Sequence, residues 1–273
     1  MQKKYKLLVS DIDGTITDGN GVISDVDFKA VRDLQQAGIT LSLCTGRAAG
    51  GCQQVLKKIS TDGFHIFFDV ALVCNADQSE VIYVQPIEKD ILVEVCGLAK
   101  SCNLTLELFS KTGFFAERES LLAKVHSELM SFNFTVTDFT DLCNHECIIM
   151  GCFVIPVEDA KKFKPLFSEF GNANRLKFSW SMNPAQPDIY LVNVIKDDVS
   201  KGNALKALCS HMGLKIEETA AIGDGANDIS LLETAGLALA IQNAPLELKA
   251  VADYVTGDIE HHGFAQAVRK FLL

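Results

Sequence analysis

The chain has 273 residues, 48% of them hydrophobic and 22% charged, with a formal net charge of −10. That balance excludes a disordered chain and suits one large domain or two of ordinary size around a sizeable core. The 35 acidic residues outnumber the 25 basic ones without any Lys/Arg run, which argues against nucleic acid as a partner. No apolar run reaches the length of a membrane-spanning helix, which argues against a membrane-embedded chain.

Taken in chain order, residues 5–10 form a short apolar run that predicts a buried strand. A polar, Gly-rich turn over 11–21 follows. Ser24 with Asp27 resembles a capping box, Phe28, Val31 and Leu34 recur at helical spacing, and Gly38 closes that helix. Residues 39–45 predict a second strand, 48–59 a helix and 64–73 a strand-rich stretch. Strands separated by helices imply βαβ units and a parallel sheet. The rhythm changes after about residue 83. Helices are expected over 91–102, 119–131 and 158–170, and strands over 105–109, 113–116, 148–155, 177–181 and 189–194. Strands arriving in pairs point to an α+β module with a partly antiparallel sheet. From residue 200 the βαβ order returns, with helices over 201–212, 228–235, 245–252 and 263–272 and strands over 219–223, 237–241 and 254–255. The simplest architecture is α/β: a parallel-sheet core formed by 1–84 and 196–273, split by an inserted α+β module over 85–195. Hinges are expected where the rhythm breaks, near 84–86 and 196–199.

Nine cysteines at irregular spacing argue against a secreted disulfide framework and for a reducing, cytoplasmic compartment. The first residues lead straight into a strand, so no signal peptide is expected. Cys143, His145, Cys147 and Cys152 lack a standard paired spacing; thiols and a surface His are expected there in preference to zinc. The Lys-Lys pairs at Lys3, Lys57 and Lys161 read as solvated faces, and His261-His262 as a loop or helix cap. Trp180 and Met182 alternate at strand spacing and are expected to pack inside the module in preference to stacking on a substrate.

Four polar clusters stand at element ends. Asp11-Ile12-Asp13-Gly14-Thr15 follows the first strand, where open parallel sheets bind ligands. Two carboxylates so close call for a cation or a shared proton, and hard oxygen donors suit magnesium. Alone, the segment also fits a polar Asp-Gly turn. Thr45-Gly46-Arg47 ends the second strand before a helix. Its hydroxyl and N–H groups could hold phosphate oxygens, although Thr45 in isolation reads as an N-cap. Lys201, in Ser200-Lys201-Gly202, opens a helix against the dipole and hints at an anionic partner; a lone lysine is otherwise a solvated one. Gly223-Asp224-Gly225-Ala226-Asn227-Asp228 sets two acids and an amide on a Gly-rich turn, where a backbone can approach a ligand closely.

In that order, the four motifs resemble those of the haloacid dehalogenase-like phosphatase superfamily. The long insertion resembles the C2-type cap of the Cof-like sugar phosphatases, and the segments from Gly236 to Ile241 and from Asp253 to Thr256 are similar to that branch. The likeness covers both ends of the chain; the middle matches by position and length, and Asn75-Ala76-Asp77 stands where that branch has Asn-Gly-Ala. The resemblance implies a Rossmann-like core with a cap that sets specificity, a Mg2+ cofactor, and hydrolysis of small phosphorylated substrates, sugar phosphates foremost. It implies Asp11 as the nucleophile, forming an aspartyl-phosphate, and Asp13 as the acid and base. It implies Mg2+ held by the Asp11 carboxylate, the Asp13 backbone carbonyl and Asp224. Thr45, Gly46, Lys201 and Asn227 would bind phosphate; Asp228 would orient Lys201 or the metal's waters, and Arg47 would face substrate or pair with an acid. Dehalogenases lack the second acid, and the ATPase branch carries Lys-Thr-Gly-Thr where this chain has Ile-Asp-Gly-Thr. A phosphomutase and a non-catalytic ligand-binding module stay open as alternatives.

Overall fold

A computed structural model describes residues 4–59, 63–111, 113–130, 133–183 and 186–273. The chain divides into two compact units, Met1–Tyr83 with Ser200–Leu273, and Val84–Val199. The elements begin with β1 (Leu7–Ser10), α1 (Asp25–Gln36), β2 (Thr40–Leu43), α2 (Gln53–Ile59), β3 (Phe64–Phe67), β4 (Leu72–Asn75) and β5 (Val81–Val84). Next come α3 (Lys89–Ser101), β6 (Thr105–Ser110), β7 (Phe114–Ala116), α4 (Leu121–Met130), β8 (Phe134–Val136), α5 (Phe139–His145), β9 (Ile148–Pro156), α6 (Ala160–Asn174), β10 (Leu176–Asn183) and β11 (Gln186–Lys196). The chain closes with α7 (Lys201–Met212), β12 (Thr219–Gly223), α8 (Ile229–Thr234), β13 (Ala238–Ala240), α9 (Leu246–Val251), β14 (Tyr254–Val255) and α10 (Gly263–Ala267).

In the first unit, five parallel strands run in the order β14-β13-β12-β1-β2. Parallel neighbours need crossovers, and the helices between them supply these while covering the sheet. Every residue of β1 and β12 is buried, which is why both read as short apolar runs. Ser10 lies beside both Leu43 and Ile222, so three strands end in register. The foreseen start of α1 is present: Ser24 accepts the Asp27 N–H, and Gly38 takes φ 75° just past the end. Asp27 is buried and accepts the Ala265 N–H at 2.9 Å, while His262 Nδ1 lies 3.3 Å from its carboxylate. It thereby ties α1 to α10, with His262 at the cap of the second helix as expected.

The second unit carries a six-stranded sheet, β10-β11-β9-β6-β7-β8, antiparallel except for the β7–β8 pair. Leu106, Leu108, Phe153, Val192 and Val194 line one face and pack with Val95, Phe139, Phe163 and Phe167 of α3, α5 and α6. Alternation along the strands sets that face. Trp180 packs against Phe167 and Tyr190, whereas Met182 is 55% exposed and lacks the packing role foreseen for it.

The strand-rich stretch expected over 64–73 is present, and the fold goes beyond or departs from the sequence reading in particular places. Residues 64–73 make two antiparallel strands joined by a 3-10 turn in which Phe68 and Val70 take positive φ. The helix expected over 48–59 begins as a 3-10 turn at Gly50–Cys52. The strands β5 and β8 and the helix α5 were not foreseen; β8 is only three residues long and α5 sits among polar residues. The end of the helix expected over 119–131 falls on Ser131, outside the described residues, as does Lys3. Cys143 is buried with its Sγ 3.9 Å from that of Cys96, while Cys147 and His145 are exposed. No helix among the described residues is long and apolar enough to cross a membrane.

Candidate active site

The neighbouring strands β12, β1 and β2 end together, and each is followed within two residues by a polar side chain: Asp224, Asp11 and Thr45. This is the edge of a parallel sheet at which ligands bind. The Asp11 N–H donates to the Ile222 carbonyl at 3.0 Å, which fixes the nucleophile candidate to the sheet.

Lys201 enters from the first turn of α7. Its Nζ donates to Asp11 Oδ1 at 2.7 Å, to Asp228 Oδ1 at 2.5 Å and to the Cys44 carbonyl at 3.3 Å. All three ammonium protons thus have acceptors. The side chain is 2% exposed, so the reading of an ordinary solvated lysine does not hold here. Burial alone would lower its pKa, but its electrostatic interactions with Cys44, a neutral thiol, and with the Asp11 and Asp228 carboxylates together outweigh burial and raise the value well above the usual one. Asp228 Oδ2 also accepts the N–H groups of Asp224 and Gly225, at 3.1 and 2.9 Å. It therefore both orients Lys201 and shapes the turn that carries Asp224.

Thr15 Oγ1 donates to Asp224 Oδ1 at 2.7 Å. Gly14 stands at φ +82°, a backbone state that favours glycine, and a Cβ there would collide with the Asp224 carboxylate. The first motif is thus shaped around the fourth. One carboxylate oxygen each from Asp11, Asp224 and Asp228 lies within 4.8 Å of the others. Three carboxylates face one ammonium, which leaves negative charge uncompensated. Burial pushes the Asp11 pKa up to about 7 against the pull of Lys201, with Asp228 and Asp224 adding to the rise. Burial likewise raises Asp224. A divalent cation would relieve that excess, and an all-oxygen donor set suits Mg2+. The residues fit the metal that the motifs imply.

Other expected residues stand around this centre. Thr45 is buried, and its Oγ1 accepts the Arg47 N–H at 3.1 Å, with Gly46 between them. Arg47 Nε donates to Asp13 Oδ2 at 2.8 Å, and its Nη2 donates to the other Asp13 oxygen. Of the two partners foreseen for Arg47, the acid is the one observed. The three-acid group contains Asp228, while the Asp13 carboxylate turns toward Arg47. Asn227 is exposed on the same turn as Asp224, its amide oxygen close over Gly225. The sequence reading gave no role to Thr15 or to the Cys44 carbonyl. Thr15 lay in plain view inside the first motif; a backbone acceptor leaves no side-chain signal.

A family model described as haloacid dehalogenase-like hydrolase matches residues 8–268. A Streptococcus pyogenes serotype M6 protein is 28% identical over 273 residues, covering 98% of each chain. A phosphoglycolate phosphatase of Methanoculleus marisnigri is 26% identical over 266 residues, covering 97% of this chain and 96% of its own. The crystal structure of a Thermotoga maritima protein superposes with a TM-score of 0.84 over 97% of both chains at 23% identity, which speaks for the fold. With its motifs gathered at one sheet edge and the family model matched over nearly its whole length, the chain belongs to the haloacid dehalogenase-like hydrolases.

Proposed function

We propose that this protein is a Mg2+-dependent phosphatase of small phosphate monoesters, sugar phosphates among them, with Asp11 as its nucleophile. The observation that carries this reading is the contact of Lys201 with Asp11 inside a three-carboxylate cluster in which Asp11 and Asp228 are buried and Asp224 half-buried. A carboxylate attacks an anionic phosphate only where opposing charge is gathered, and catalysis of phosphoryl transfer is mostly positioning and charge compensation. The phosphatase name of the Methanoculleus marisnigri relative points to the same class of substrate.

In this scheme Asp11 Oδ attacks phosphorus as the bond to the leaving oxygen breaks, giving an aspartyl-phosphate. Asp13 gives its proton to the leaving oxygen, then takes one from the water that attacks the phosphorus of the intermediate. Inorganic phosphate leaves and Asp11 is restored. Lys201, once it exchanges its 3.3 Å bond to the Cys44 carbonyl, would hold the phosphate oxygens with Thr45 and the Gly46 N–H, and Asp228 keeps Lys201 aimed. Asp11, the Asp13 backbone carbonyl and Asp224 would hold Mg2+, whose chemistry is to offset charge on the transferring group. Arg47 must release the Asp13 carboxylate when it carries the proton, because a carboxylate held by both oxygens has none to give.

The test is release of phosphate from p-nitrophenyl phosphate with and without Mg2+. Asp11→Asn is expected to abolish turnover, and Asp13→Asn to lower kcat by about 10²–10⁴-fold. Full activity in Asp11→Asn would remove the nucleophile assignment.

A further inference from the structure

A cleft of about 450 Å3 lies between the loop 19–23 and α2. Its lining includes Asn20, Arg47, Gln54 and Lys58, together with Ile23 and the glycines of the loop, and it contains no carboxylate. Arg47 and Lys58 thus give the cleft wall two positive side chains and no negative one, in a chain whose net charge is −10. Asp18 keeps its negative charge but is not among the lining residues; its Oδ1 accepts the N–H groups of Asn20 and Val22 at 2.9 and 2.8 Å and closes the loop on itself. Lys58 is not a loose surface lysine. Its Nζ donates to the Ile23 carbonyl at 2.8 Å and stands 5.9 Å from the centre of the Phe28 ring, which holds the charge at the cleft wall. One bond to a carbonyl leaves an ammonium with capacity for an anion.

Arg47 connects the cleft to the chemistry, since the same side chain lines the cleft and grips Asp13. If Asp13 protonates the leaving oxygen, the cleft lies beside the leaving alcohol. We propose that this cleft is a subsite for a second anionic group, a carboxylate or a phosphate, carried by the leaving alcohol and bound by Arg47 and Lys58 with Gln54 as a neutral donor. This rests on the phosphatase reading above. It assigns specificity to residues of the first unit, and it gives Arg47 an alternative anion to hold when Asp13 must let go.

The test compares kcat/KM for phosphate esters of alkanediols of three to six carbons with the matching bisphosphates and the matching phosphooxy carboxylates. The expected result is a preference of about tenfold to hundredfold for an anionic tail at a favoured chain length, the size of effect given by a charge-assisted hydrogen bond. The carboxylate and bisphosphate arms tell which anion fits. Lys58→Gln is expected to erase the preference and Lys58→Arg to restore it. Gln54→Glu, which leaves the Lys58–Ile23 bond in place, is expected to reverse it and serves if Lys58→Gln does not fold. Equal kcat/KM at every chain length, or a preference unchanged in these variants, overturns the subsite. Thermal stabilisation of the Asp11→Asn variant by the bisphosphates, compared with the monophosphates, reads the subsite without turnover. No hydrolysis of any of these esters by the wild-type protein, with that difference retained, would sink the phosphatase reading alone; no difference would sink the subsite.

Discussion

Lys201 shows how a single position joins stability to chemistry. Its ammonium is buried against Asp11, Asp228 and a backbone carbonyl, and each of these is left unmatched if it is removed. Breaking a buried ion pair from one side costs about 3–5 kcal/mol, because a charge remains without a partner. Lys201→Ala is therefore expected to lose activity and to lower the unfolding free energy by about that amount in a urea titration. Arg47 and Asp13 make the contrast. Their side chains are 38% and 51% exposed, so the pair contributes at most about 1 kcal/mol and is free to break during turnover. Of these residues, Asp11, Lys201 and Asp224 could be read as one group from the sequence because each sits at an element end. The part of Thr15 in holding Asp224, and of Asp228 in holding two N–H groups, depends on how separate turns meet and has no local signature.

At the scale of elements, the parallel strands were legible because burial on both faces makes them continuous apolar runs. The strand-rich character of 64–73 was legible by the same rule, but not that the stretch turns back on itself through Phe68 and Val70 at φ 54° and 86°. Positive φ at a bulky or β-branched residue runs against local preference, so only the surrounding packing can impose it. The α1 start was legible as Ser24 and Asp27, but the partner of Asp27 lies more than two hundred residues away on α10. That contact makes a prediction. Asp27→Ala removes an acceptor for the Ala265 N–H and a partner for Ser24, both in a buried setting. A loss of about 2–3 kcal/mol is expected. A denaturation midpoint unchanged from wild type would show that α1 and α10 are held by apolar packing alone.

At the scale of the whole molecule, the charge balance of the acid cluster couples folding to pH and to metal. Asp11 has its folded pKa raised to about 7 by burial, above the ordinary aspartate value. A raised value means that the folded state binds the proton more tightly. The group's contribution to stability is therefore present at low pH and is lost as pH climbs toward about 7. A cation competes with that proton, so added Mg2+ is expected to raise the melting temperature more at pH 8 than at pH 6. At hundredfold saturation the gain is about 2.7 kcal/mol, or roughly 5–10 °C for a chain of this size. An equal gain at both values would mean that the metal binds away from Asp11. The chain divides into two units at Tyr83 and Ser200, and the sequence changes rhythm near residue 83. The placement of β8 and α5 in the second unit was not legible, since three-residue strands and polar helices carry too little pattern.

The central claim is that Asp11 takes the phosphoryl group covalently. Rapid acid quench of the protein with p-nitrophenyl phosphate and Mg2+, followed by mass spectrometry of its peptides, tests it most directly. The account predicts a mass increment of one phosphoryl group on the peptide carrying Asp11, absent from Asp11→Asn. An increment on another residue, or phosphate released in a burst with no adduct at any quench time, would contradict it.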